Sequence, residues 1–292
     1  MKKMNIKRNL NKITLGWVIL YIFMSLLVAF MALPLVYVIN SAFKPLDELF
    51  IFPPKFFVNN PTMHNFTKLF STLGGATVPF IRNIINSLIQ TAGIVILTCV
   101  VSALGAYGMV IYHPPGTKLL YELVVSALMF SAHVTQIPRY LVVNQLGWVN
   151  TFWALIIPSV ASAYNFFLLR QFLVSYPREL IEAGRVEGAS EMRIFIQLVL
   201  PAMKPVLATL AVLSFNASWN DFFSALIYTS DESMRTLPLA LQTISGGSGA
   251  ASLGNAGATA AATMLMALPT VIMFIIAQKN VMETMTYSGI KG

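Results

Sequence analysis

The 292-residue sequence predicts an all-α integral membrane protein with six transmembrane helices and both termini in the cytoplasm. Composition is the first observation: 57% of the residues are apolar, only 10% are charged, and the mean hydropathy is +0.72. Nineteen Lys and Arg with eleven Asp and Glu cannot cover the water-facing surface of a soluble protein of this size, so lipid must cover much of it. The second observation is the recurrence of apolar windows about 20 residues long, the length that crosses a hydrocarbon core of about 30 Å as a helix. The third is the placement of positive charge, which falls unequally on the two sides of those windows.

The elements follow in order. Residues 1–15 carry Lys2, Lys3, Lys7, Arg8 and Lys12 and form a cytoplasmic N-terminus. The apolar run after them, 16–40, is too long for the core of a signal peptide and reads as an uncleaved first span. Residues 41–84, with Pro45, Pro53, Pro54, Pro61 and Gly74-Gly75, read as a compact outer loop holding a short helix. Spans two to four occupy 85–111, 119–141 and 150–170, the weakest boundary lying at Pro138-Arg139-Tyr140. An inner loop, 171–204, leads to span five at 205–229. An outer loop at 230–257, with a small-residue run read as flexible, leads to span six at 258–279 and a cytoplasmic tail at 280–292. Thirteen of the nineteen Lys and Arg then lie on the inner side and six on the outer. The net charge of +8 is thus mainly a topology signal and needs no nucleic-acid partner. Cys99, the one cysteine, reads as a small packing residue.

The inner loop carries the strongest pattern. Pro177 suits the first turn of a helix, and Glu179 there complements the positive end of its dipole. Arg178/Glu182 and Glu182/Arg185 stand at i,i+4 and i,i+3 on one face, beside a smoother face of Leu180, Ala183 and Gly184. Gly188 ends that helix because glycine takes left-handed dihedrals without penalty, and Ser190 caps a second helix running to Leu200-Pro201. Two short helices meeting at a glycine elbow form a shape suited to a groove on another protein.

Glu182-Ala183-Gly184, with Gly188-Ala189, Phe195 and Leu200-Pro201 at their spacing, resembles the EAA loop of ATP-binding-cassette (ABC) importer permeases. Gly184 stands where that pattern has its second alanine, and Glu187 where aspartate is commoner. Pro34-Leu35, Ser41-Ala42-Phe43-Lys44-Pro45, Ala103-Leu104-Gly105-Ala106-Tyr107, Trp219-Asn220-Asp221-Phe222 and the terminal Gly289-Ile290-Lys291-Gly292 are similar to the carbohydrate branch, typified by the second permease subunit of the maltose system. The resemblance spans nearly the whole chain. It implies the type I ABC importer permease fold, a second homologous permease, two ATPase subunits, an extracytoplasmic solute-binding protein and a sugar substrate. It further implies that Glu179, Glu182, Ala183, Gly184, Arg185, Glu187, Gly188, Ala189 and Ser190 form the coupling helix that docks on an ATPase. By the same resemblance Tyr287, Gly289, Lys291 and Gly292 are candidate tail contacts to the ATPases. The terminus reads equally as a frayed end.

Polar groups at membrane depth usually face a bundle interior or a wet cavity. Asn216, Trp219, Asn220 and Asp221 make a polar-aromatic cluster of the kind that binds sugars, or else interhelical glue with an aromatic anchor. Tyr164 and Asn165 in span four, and Ser87, Gln90 and Thr91 in span two, line a pathway or serve packing. No His/Cys/Asp/Glu spacing suits a metal, and no phosphate-binding glycine loop is present. The chain is therefore expected to be a permease rather than an enzyme, binding no cofactor itself, with ATP and Mg²⁺ held by partners.

Overall fold

The computed structural model describes residues 15–72, 78–245 and 254–289, and among them there are helices and no strands. Helix α1 (Leu15–Phe43) is apolar on every side and exposed along most of its length. The outer loop holds α2 (Leu46–Leu49) and the amphipathic α3 (His64–Thr72). Helix α4 (Phe80–Tyr107) continues as a π-helical turn, Gly108–Tyr112. Then come α5 (Thr117–Ala127), α6 (Ala132–Gln145), α7 (Phe152–Val160), α8 (Ala163–Val174) and α9 (Arg178–Val186). Helix α10 (Glu191–Ile194), a π-helical turn (Phe195–Val199) and α11 (Leu200–Ala202) lead into α12 (Lys204–Trp219). The chain closes with α13 (Phe223–Tyr228), α14 (Leu237–Ser245) and α15 (Ala256–Gly289).

Helix α4 is the central post. It packs against α7, α8 and α12; α12 in turn packs against α15, which carries α1 on its other side. Small residues permit this closeness: Ala258, Ala261 and Ala262 of α15 are buried against Trp219, Phe80, Leu69 and Ala42 in one core cluster. A second cluster joins Ala103, Ala106 and Tyr107 of α4 to Leu169 and Leu173 of α8, Ile181 of α9, Ile194 and Phe195, and Val206 and Leu210 of α12. At the outer end of α4, Asn86 Nδ2 donates to the carbonyls of Ser233 (2.8 Å) and Arg235 (2.9 Å), and the Leu237 amide donates to Ser87 Oγ (2.8 Å). The polar residues that open span two are thus a lock on the last outer loop. Thr91 likewise meets Ser218 of α12 at 3.3 Å.

The structure revises several spans. Among the described residues, three helical stretches are long and apolar enough to cross a membrane unbroken: Gly16–Phe43, Phe80–Tyr112 and Ala256–Lys279. Span two starts five residues earlier than predicted, behind Pro79, and the last helix runs ten residues past 279 to Gly289. The expected third span is divided: α5 and α6 have 11 and 14 residues, and Ser131 restarts the helix by accepting from the His133 amide. Span four bends by 41° between α7 and α8. Pro158 removes a helical donor in α7, and Ser162 caps α8 by accepting from the Asn165 amide (3.3 Å). The expected fifth span stops at Trp219. Asn220 turns its amide back onto the Asn216 carbonyl (2.9 Å), while Asp221 Oδ1 accepts from the Ser224 amide (3.0 Å) and starts α13. The small-residue loop lies largely outside the described residues.

A glycine elbow and a mid-span cavity

The elbow forms as its sequence dictates. Pro177 takes the position before α9, with Glu179 in the first turn. At the other end Gly188 has φ +79°. Its amide donates to the Arg185 carbonyl and the Ala189 amide to the Gly184 carbonyl, both at 3.0 Å, the Schellman closure that glycine favours. Ser190 is extended at the start of α10, although its side chain makes no cap hydrogen bond. Gly184 is a close-approach position: a Cβ there would sit 3.3 Å from Ile194 Cγ1 and from Leu198 Cδ1. Here a glycine in place of the family's alanine lets α9 lie directly on the segment after the elbow.

The expected ion pairs within α9 do not form. Arg185 instead reaches across the elbow to Glu191 in a bidentate pair, Nε–Oε1 2.6 Å and a second nitrogen to Oε2 at 3.2 Å. The Tyr107 hydroxyl donates to the same Oε2 (3.1 Å), so Glu191 joins the elbow to the inner end of α4. Arg185's hydrogen bonds hold the Glu191 carboxyl below the ordinary carboxylate range, and Glu191 in turn raises the Arg185 guanidinium. Arg178 faces His113 (3.4 Å) rather than Glu182. Sequence reasoning missed Tyr107 and His113 as elbow partners because their contacts cross 84 and 65 residues of chain.

The elbow has two unlike faces. Ile181, Ile194, Phe195, Val199 and Met203 are buried in the cluster with α4, α8 and α12, and Gly184 is buried against Ile194 and Leu198. Glu179, Glu182, Ala183, Glu187 and Gly188 are exposed, beside Leu180 (50% exposed) and Val186 (89%). A valine that exposed at a helix end contributes nothing to the chain's own core.

At the break in span four lies a cavity of about 320 Å³, lined by Ile94, Ser159, Ser162, Tyr164, Asn165, Leu213, Ser214, Ala217, Ser218 and Asp221. Of the predicted pathway residues it gathers Tyr164, Asn165 and Asp221. It does not gather Trp219, which is 1% exposed, stacks on Phe215 and donates from Nε1 to the Met266 carbonyl (2.8 Å). Trp219 is an anchor between α12 and α15. Asn216 and Asn220 bond each other (2.8 Å) away from the cavity. The four serines were not singled out from sequence; Ser162 was readable as a cap three residues before Asn165. Asn165 Nδ2 donates to Ser214 Oγ (3.0 Å), tying α8 to α12 at the cavity. Tyr287 and Gly289 fall in the last turns of α15, whereas Lys291 and Gly292 lie outside the described residues.

The cavity and the elbow share their supports. Helix α8 leads from Ser162 to the elbow, and α12 leads from the elbow's far side to Ser214 and Ser218. An all-α membrane chain with a serine-lined cavity at a helix break, borne on the two helices that flank an exposed glycine elbow, has the architecture of a multi-pass transport permease subunit. Residues 118–281 match the family described as binding-protein-dependent transport system inner membrane component. The chain belongs to that family, and so to the bacterial membrane. It is 30% identical over 272 residues to the arabinooligosaccharides transport system permease protein AraQ of Halalkalibacterium halodurans, covering 91% of this chain and 93% of that one. Protein LplC of Bacillus subtilis is 31% identical over 89% of each chain. The sn-glycerol-3-phosphate transport system permease protein UgpE of Yersinia pestis bv. Antiqua is 33% identical over 71% and 73%. The crystal structure of a bacterial ABC transporter involved in the import of the acidic polysaccharide alginate shares the fold, with TM-score 0.78 at 19% identity over 90% and 95% of the chains.

Proposed function

We propose that this chain is one of two homologous permeases in an ATP-driven carbohydrate importer, working with two ATPase subunits and an extracytoplasmic solute-binding protein. ATP and Mg²⁺ belong to the ATPases; this chain supplies a pathway wall and a docking elbow. The observation that carries the reading is the two-faced elbow, rigidly cemented inside and bare outside at Val186, Leu180, Glu182 and Glu187. Closure of the ATPase pair displaces α9. Because Ile181 and Ile194 share a core with Leu169, Leu173 and Leu210, the push passes into α8 and α12 and changes the cavity's access between the two membrane faces.

Serine hydroxyls, the Asn165 amide and the Tyr164 ring suit a sugar's hydroxyls and C–H faces. Two of the three relatives named above leave the choice open: one is named for arabinooligosaccharides, another for glycerol 3-phosphate. Asp221 is the charged group lining the cavity, which favours an uncharged sugar over an anionic solute. Uptake of labelled oligosaccharides against glycerol 3-phosphate in a strain lacking this gene separates the two. Docking is tested by Val186→Asp. The side chain touches no core, so membrane level and melting stay unchanged. Burial of a valine contributes about 1.5 kcal/mol or more, so affinity for the ATPases falls about tenfold or further and uptake fails with it. Undiminished co-purification of the ATPases with this variant refutes the docking face.

A further inference from the structure

The outer loop after α1 carries aromatic residues that no core uses. Phe52 is 92% exposed and Phe57 67%, with Phe50 (51%) and Ile51 (41%) beside them. Specific contacts hold the loop in place. Lys44, 2% exposed, donates from Nζ to the Lys55 carbonyl and lies over the Tyr37 ring at 5.4 Å. Glu48, 4% exposed, accepts from the amides of Asn59 (2.7 Å) and Asn60 (3.3 Å). Two buried charges thus pin residues 55–60 to the Lys44–Glu48 segment that follows α1, although a loose loop would leave both in water at no desolvation cost.

The depth of this loop follows from its contacts with α1. Trp17 and Tyr37 lie twenty residues apart in one helix, about 30 Å, which matches the hydrocarbon thickness. Trp and Tyr concentrate at the two boundaries of that slab. The Val58 amide donates to Asn40 Oδ1 (3.2 Å), and the Phe56 ring packs on Tyr37 at 5.8 Å between centroids. Phe57 packs edge-on against Phe56 at 5.1 Å. The chain therefore leaves α1 at Phe43, turns, and returns to the level of Tyr37 with its aromatic groups outward.

We infer that residues 50–57 form an interfacial anchor resting on the outer leaflet, with Phe52 and Phe57 seated at the boundary between headgroups and acyl chains and the exposed Lys55 ammonium among lipid phosphates. Apolar rings flanking a lone cation are the pairing that boundary accommodates. A water-soluble docking partner fits less well, because Tyr37 marks the edge of the hydrocarbon, below the surface such a partner reaches. The anchor fixes the height of the outer loop, including the Asn65 side chain that holds the α1 exit through the carbonyls of Ala42 (2.9 Å) and Lys44 (2.6 Å).

The test uses the full chain with Cys99→Ser, carrying Phe52→Cys, Phe57→Cys or Asn60→Cys, labelled with an environment-sensitive fluorophore. It is reconstituted in phosphatidylcholine–phosphatidylglycerol vesicles containing lipids spin-labelled near the headgroup or at the chain end. Labels at 52 and 57 are expected to be quenched several-fold more by the headgroup-proximal lipid than by a water-soluble quencher, with the reverse at 60. Two labelled sites guard against one variant misfolding. Equal access of the aqueous quencher to 52, 57 and 60 overturns the anchor. Quenching by neither agent also overturns it, and points to protein covering the patch.

Discussion

Replacing Gly188 tests how far the proposed coupling role rests on one backbone conformation. Its φ of +79° suits glycine, and an added Cβ would meet nothing within 4 Å, so the cost of alanine is backbone strain alone, about 1–2 kcal/mol. The elbow can shed that strain by opening its closure, losing the Gly188–Arg185 and Ala189–Gly184 hydrogen bonds, each worth about 0.5–1.5 kcal/mol net. Strain and closure are of similar size, so Gly188→Ala should divide the elbow between closed and open forms rather than unfold the chain. Asparagine tolerates left-handed dihedrals and should retain most of the closed form; valine, β-branched, should retain least. The assay titrates the ATPase subunits onto the permease in membranes, with uptake measured in parallel and insertion level as control. Affinity should fall in the order Gly, Asn, Ala, Val, with alanine lower by about tenfold, the equivalent of 1.4 kcal/mol. Equal affinity for Gly, Ala and Val at matched membrane levels refutes the argument.

A double-mutant cycle of Asn165→Ala with Ser214→Ala should show a coupling of about 0.5–1.5 kcal/mol in thermal unfolding of the purified chain, because each single change strands a buried partner and the pair does not. Additive losses would mean that α8 and α12 are not tied at the cavity. For the elbow clasp, the folded carboxyl of Glu191 titrates below its unfolded value, so its contribution is complete above the ordinary carboxylate range and is lost as pH falls through the lowered value. Both side chains are more than a third exposed, which limits the effect to about 1 kcal/mol or less. Wild type should therefore melt above Glu191→Gln near neutrality and converge with it in acid; a gap that widens on acidification contradicts the assignment.

The elbow was legible in the sequence because its signals are local. Pro177 and Gly188 each act through the backbone of their own turn, and the structure places both at the turns expected; Ser190 stands at the start of α10 but its side chain does not make the cap bond its residue type suggested. The apolar spans were legible as composition, but their interruptions were not. A hydropathy window sums side chains and is blind to one carbonyl freed by Pro158 or to one amide captured by Ser162. The Trp-Asn-Asp run could be read from sequence either as a sugar-binding cluster or as interhelical glue with an aromatic anchor, because spacing alone does not say which way each group points. Its components instead divide by geometry: Trp219 into the core toward Met266, Asn220 back onto Asn216, and Asp221 alone to the cavity. The Glu191 clasp was out of reach for another reason. Charge spacing along a helix favoured Glu182 for Arg185, whereas the turn at Gly188 brings a carboxylate from beyond the helix into bidentate register.

The Asn165–Ser214 bond also restrains how such a chain can diverge. In the proposed mechanism it lies on the two helices that carry the elbow's motion, so a substitution that widened the cavity for a bulkier solute would also loosen the linkage through which energy arrives. Under that mechanism cargo preference and coupling efficiency would not be independent traits in this subunit. Variants selected for a new substrate are expected to hydrolyse more ATP per molecule moved, until a compensating change restores the tie between α8 and α12.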